Sequence, residues 1–91
     1  SPFDLRLASR NPASGPVTAT FSLERESLVH AVVHDATGRR VRTLLSGISP
    51  AGTASVQWDG TSHGRSAPAG LYFLRLSAAG RTESVRIVRV D

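Results

Sequence analysis

Three groups of residues carry side chains able to do chemistry. Asp59, Ser62 and His63 stand close together in WDGTSHGRSAPAG (58–70), offering a carboxylate, a hydroxyl and an imidazole, the ingredients of acid–base or nucleophilic catalysis. His30 and His34 are four residues apart, the spacing of a metal-binding pair on a helix. Arg39, Arg40 and Arg42 form the one basic cluster of a chain whose formal net charge is +4. What each group can do depends on the backbone that carries it.

That backbone has a dominant period of two. In VTATFSL (17–23), Val17, Ala19, Phe21 and Leu23 alternate with Thr18, Thr20 and Ser22, which is a half-buried strand. FDLRL (3–7) alternates likewise, with Phe3, Leu5 and Leu7 on one face. LVHAVVHD (28–35) sets Val29, Ala31 and Val33 opposite His30, Val32 and His34, and TASVQW (53–58) turns Ala54, Val56 and Trp58 inward. LYFLRLSA (71–78) is apolar on both faces near its start, as a central strand would be. SVRIVRV (84–90) is apolar on both sides as well, a sign of a bulge or two-sided burial. VRTLL (41–45) predicts a shorter strand. DATG (35–38), SGISPAG (46–52), DGTSHGRSAPAG (59–70) and AAGR (78–81) separate these runs with Gly, Pro and Asp turn chemistry. About seven short strands at regular spacing, with no helical stretch, predict an all-β, antiparallel β-sandwich over residues 1–91 as a single domain.

On such a frame the chemistry recedes. Four residues of a strand span about 13 Å, so His30 and His34 cannot share one ion. No cysteine offers a thiolate, no GxSxG is present, and the seven acids are dispersed. Ser62 and His63 are neighbours in a glycine-rich loop, which makes no triad. Asp59 is the lone carboxylate of its loop, where calcium takes several. Trp58 continues the inward alternation of Ala54 and Val56, so Asp59-Gly60 reads as a turn whose carboxylate accepts backbone amides. The sequence therefore predicts a corner here, with no enzyme activity, no cofactor and no metal.

Composition excludes further classes. A 40% hydrophobic, 20% charged chain of 91 residues is ordinary globular material. No apolar run approaches the roughly 20 residues of a membrane-spanning helix. All eleven basic residues are arginine, scattered apart from the one cluster, and the five aromatics fall mostly at inward positions. Single-strand nucleic-acid readers interleave exposed aromatics with basic residues, so nucleic acid is not an expected partner. SPFDLRL has no signal-peptide character, and the chain reads as a piece of something longer.

Read in order, Asn11-Pro12, HDATGRRVRTLLSG (34–47), PAG (50–52), WDG (58–60), PAGLYFLRL (68–76) and the terminal VRIVRV (85–90) resemble the Ig-like domain of the flagellar hook-capping protein. They also resemble the related C-terminal sorting domain of type IX secretion substrates. The likeness runs from about Asn11 to the C-terminus. WDG and GRRVRTLL fit the flagellar branch best. The sorting branch is suggested by NP near the start, PxG in the middle, GLY before the penultimate strand and a basic, hydrophobic last strand. Where sorting domains often carry lysine in that strand, this chain has Arg86 and Arg89.

The resemblance implies a non-catalytic, monomeric C-terminal module of a larger exported bacterial protein, such as a hydrolase or adhesin. It would pass through the periplasm to the surface or medium, recognised by outer-membrane secretion machinery or a cell-surface component. Gly70, Tyr72, Arg86 and Arg89 are the expected contact residues, displayed on GLYFLRL and VRIVRVD as neighbouring strands. The alternatives are a carbohydrate- or polyanion-binding accessory module, which needs a row of exposed aromatics or a coherent arginine face, and an Ig-like structural spacer.

Overall fold

In the computed structural model, which describes residues 3–90, alternation sorts the chain into two facing sheets. The strands in chain order are β1 (Arg6–Leu7), β2 (Val17–Leu23), β3 (Ser27–Asp35), β4 (Arg40–Ser49), β5 (Gly52–Trp58), β6 (Thr61–Ser62), β7 (Arg65–Ser66), β8 (Gly70–Ala78) and β9 (Arg81–Arg89). One sheet has the order β1-β2-β5 and the other β4-β3-β8-β9, so seven strands build an all-β sandwich, and every pairing within the sheets is antiparallel. The pair β6-β7 is a small ribbon inside the 59–70 loop.

The core lies where the inward faces meet. Val17, Ala19, Phe21 and Leu23 of β2 face Val29, Ala31 and Val33 of β3, with Val56, Trp58, Leu74, Leu76 and Ile87 completing the interior. Each large side chain buried this way contributes about 1.5–3 kcal/mol relative to exposure. Phe21, Trp58, Leu74 and Leu76 are the bulk of it.

Two strands differ from the sequence expectation. Only Arg6–Leu7 of FDLRL joins the ladder, because Asp4 takes a left-handed φ of 51° that breaks the extended run. Phe3 is nonetheless buried, with Leu5 and Leu7 packed against the core. β4 runs for ten residues rather than the short VRTLL. Its ladder with β3 reaches Ser27↔Ser49 and leaves the turn to Pro50 and Ala51. The ladder shifts register twice, with Leu44 and Val41 as the extra residues. These bulges let Val41, Leu44 and Leu45 all pack on the core, which destroys the period-two signal. In β9 two-sided burial, one of the two readings its sequence allows, is what occurs: pairing with β8 runs unbroken from Gly70↔Arg89 to Ala78↔Arg81. Ile87 lies in the core and Val88 is half-covered on the opposite face.

An edge strand exposes unpaired backbone groups that invite other chains. On the free side of β9, Asn11 and Ala13 occupy those groups. Asn11 Oδ1 accepts from Val88 N at 2.9 Å and Asn11 Nδ2 donates to Arg86 O at 3.2 Å. Ala13 N donates to Val88 O, and Val90 N donates to Ala13 O. The Asn-Pro pair thus clamps the last strand.

Candidate functional site

The WDG–PAGLY region and the end of β9 converge at one end of the sandwich. Trp58 continues β5 inward and packs on Tyr72 of β8, with ring centroids 5.1 Å apart and planes tilted by 59°. The Arg89 guanidinium lies 5.2 Å from the Trp58 ring centroid, within cation–π range. Its Nη1 donates to Gly15 O at 3.3 Å, while Nε is buried with no hydrogen-bond partner. Gly60 also lies against that guanidinium. A Cβ at Gly60 would overlap Arg89 Nη1, and its φ of +83° also disfavours a side chain. Trp58 Nε1 donates to Thr61 O at 2.9 Å and the Tyr72 hydroxyl donates to Pro68 O at 2.6 Å. Burial pushes the Tyr72 phenol above its usual pKa, against the opposing pull of Arg89, so it stays a neutral donor.

Asp59 is the turn carboxylate the sequence indicates. Its Oδ1 accepts from the Thr61 amide at 3.0 Å and the Thr61 hydroxyl at 2.6 Å. Arg42 Nη1 reaches both Asp59 oxygens at 3.3 Å and Thr61 Oγ1 at 2.6 Å, tying β4 to the loop. Asp35 repeats the device, accepting from Thr37 N, Thr37 Oγ1 and Arg39 N. In both aspartates the threonine hydroxyl is the main influence holding the carboxyl below its usual pKa. These carboxylates are spent on turns.

The two histidines of β3 face outward and make separate local bonds, His30 with Ser46 Oγ at 3.0 Å and His34 with Gly38 O at 3.3 Å. His63 sits in the ribbon turn at φ 54°. Among the described residues no three His, Cys, Asp or Glu side chains gather as a metal set.

Of the four expected contact residues, two are on the surface. Arg86 is exposed on the outer face of β9, and Gly70 is exposed at the start of β8. Gly70 has a φ of +149° and open space at its Cβ position, so the backbone rather than crowding requires glycine. Tyr72 and Arg89 are instead only 5% and 7% exposed. The expectation that Arg89 is a displayed charge is corrected here: it shares inward parity with Ile87, three positions and hence an odd step from Arg86. Sequence reasoning missed the Trp58–Arg89–Gly60 stack and the Asn11 clamp. The odd spacing of the two arginines was the available signal for the first; nothing local signalled the second.

The outer faces of the two sheets differ. That of β2 and β5 shows Thr18, Thr20, Ser22, Thr53, Ser55 and Gln57, positions paired across the ladder. That of the four-stranded sheet follows the pairs Leu28↔Ile48, His30↔Ser46, Val32↔Arg75, His34↔Phe73 and Phe73↔Arg86. Arg40 pairs with His34, and Leu71 with Val88, on the same side. A groove of about 310 Å³ crosses this face, with Phe73, His34, Arg75, Thr82 and Ser84 among its lining. A second recess, of about 560 Å³, opens beside Phe3, Leu23 and Arg81. The groove also takes in Asp35, and the recess Glu24 and Ser27.

No curated protein matches the chain. The family described as the FlgD Ig-like domain matches residues 9–82, ending inside β9 rather than at the C-terminus. The matched stretch contains Asn11 and Ala13, both aspartate turns, WDG and the whole of β8, and stops short of the β9 residues that Asn11 and Ala13 hold. Family and fold agree, and the chain belongs to the FlgD Ig-like domain family.

Proposed function

We propose that this domain is a non-catalytic sorting and attachment module of a larger exported bacterial protein, read at the outer membrane by type IX secretion machinery or a cell-surface component. The observation that carries this reading is the way β9 is held. It is bonded to β8 along its full length on one side and clamped by Asn11 and Ala13 on the other. A partner recognising this strand therefore meets a folded surface, with Arg86 and Gly70 accessible. Tyr72 and Arg89 act from beneath by fixing the strand ends.

The dispersed, turn-bound carboxylates favour a binding role over catalysis. A carbohydrate platform has little support, because Trp58, Tyr72, Phe3 and Phe21 are all buried. The test is export of a periplasm-directed reporter carrying residues 1–91 at its C-terminus in a host with type IX secretion. The intact fusion is expected at the surface or in the medium, and Arg86→Glu is expected to reduce its export while leaving the fold intact. A folded fusion that stays periplasmic would sink the proposal.

A further inference from the structure

We infer that the outer face of the β4-β3-β8-β9 sheet is a docking surface for an acidic polypeptide segment bearing apolar side chains. This proposal concerns binding by the folded domain and stands whether or not the domain directs export.

Positive charge predominates on this face. Arg40, Arg75 and Arg86 project from it with His30 and His34, as the cross-strand pairing requires. Among the described residues, no outward position of these strands is acidic. Asp35 also lines the groove, and its carboxylate, bonded to Thr37 and to the Arg39 backbone amide, is a single negative charge against three arginines. Glu83 points to the opposite side, where it accepts from Leu5 N. The cations are interleaved with apolar groups. Leu28 and Ile48 form an exposed cross-strand pair, 53% and 66% accessible, and Leu71 is also exposed. Phe73 lies in the groove beside Arg75, with the Thr82 and Ser84 hydroxyls also lining it.

Charge complementarity selects the occupant. A second copy meeting this face about a two-fold axis would set Arg75 and Arg86 against arginines with no acid to receive them. A sulfated polysaccharide would satisfy the cations and leave Leu28, Ile48 and Leu71 in water. A nucleic-acid strand needs stacking aromatics, and Phe73 is the sole one here. Glutamate or aspartate alternating with apolar residues satisfies both sets at once. Size agrees: strands about 4.8 Å apart and about 3.3 Å per residue make a face of roughly 15 by 30 Å. That suits one strand or helix better than the roughly 800 Å² per partner of a globular interface.

The experiment is an NMR titration of the isotopically labelled 91-residue chain with three short synthetic peptides, alternating Glu-Leu, Glu-Ser and Lys-Leu, and with heparin. Glu-Leu is expected to shift the amides of Val32, Phe73, Arg75 and Arg86 saturably and leave β2 and β5 unmoved. Glu-Ser should bind more weakly and Lys-Leu not at all. Arg75→Glu with Arg86→Glu is expected to weaken Glu-Leu binding about tenfold or more, since each charge pair inverts to repulsion. Arg75→Gln with Arg86→Gln should give a smaller loss, and dispersed spectra of both variants show retained folding. Equal binding of Lys-Leu, heparin binding to this face without peptide binding, or no saturable shift would each overturn the proposal.

Discussion

Arg86 and Arg89 stand three residues apart on β9, yet they belong to two different regions. Arg86 lies on the outer face of the four-stranded sheet, solvated and beside other cations. Arg89 is buried against Trp58 and Gly60, with one nitrogen bonded to Gly15 O and another unpartnered. The same side chain is surface charge in one place and core filler in the other. The physical reason is strand periodicity, under which an odd step reverses the face. A buried guanidinium is tolerated because its delocalised charge is attracted to the indole ring while Nη1 finds the Gly15 carbonyl.

Substitutions can break this contrast at graded cost. The largest loss is expected at the buried end, where Trp58→Ala should destabilise by about 3–5 kcal/mol in urea denaturation, since it empties the largest buried side-chain volume. Arg89→Glu should cost about 3 kcal/mol or more, because it buries an anion beside the Gly15 carbonyl. Arg89→Met keeps the packing and should cost about 1 kcal/mol, the scale of the lost cation–π contact. If Arg89→Glu melted like the parent chain, the buried placement of Arg89 would be wrong.

Gly60→Ala sharpens the same buried contact. It must move the Arg89 guanidinium as well as strain φ, so a loss of about 1–3 kcal/mol is expected. Gly70→Ala meets only the backbone penalty and should cost less. Comparing the two by thermal melting isolates the contribution of contact with Arg89.

The aspartate turns come next, through pH. Asp35 and Asp59 have folded-state pKa values below their ordinary one, so the stability they add is fully present above the unfolded value near 3.8. It is lost as pH falls through the folded values. The melting midpoint should therefore drop below about pH 4, and Asp35→Asn with Asp59→Asn should flatten that drop while lowering the midpoint at neutral pH. The smallest effect is expected on the outer face, where Arg86→Glu should change stability by less than about 0.5 kcal/mol. A large loss there would erase the distinction between the regions.

Much of the fold was legible because one-sided burial imposes a strict period. VTATFSL and TASVQW alternate cleanly and became β2 and β5 with Phe21 and Trp58 inside. VRTLL was read too short because two bulges in β4 remove the period that defines a strand in sequence. The loop at 59–70 was read as a corner from Asp59, Gly60 and Pro68, and Asp59 does cap its turn. Of the four proposed contact residues, Arg86 and Gly70 lie at the surface, whereas Tyr72 and Arg89 do not.

The sequence by itself determined the sandwich class, the turns and the inward residues of the cleanly alternating strands, because each depends on neighbours a few residues apart. Tertiary structure alone decided that Asn11 clamps β9 across 77 positions of chain, and that Arg42 of β4 secures Asp59. It also placed Gly60 and Trp58 against Arg89 and gathered cations from three strands onto one face. Those contacts depend on which strands become neighbours and in what register. That is settled by the packing of the whole core, and no local stretch of sequence encodes it.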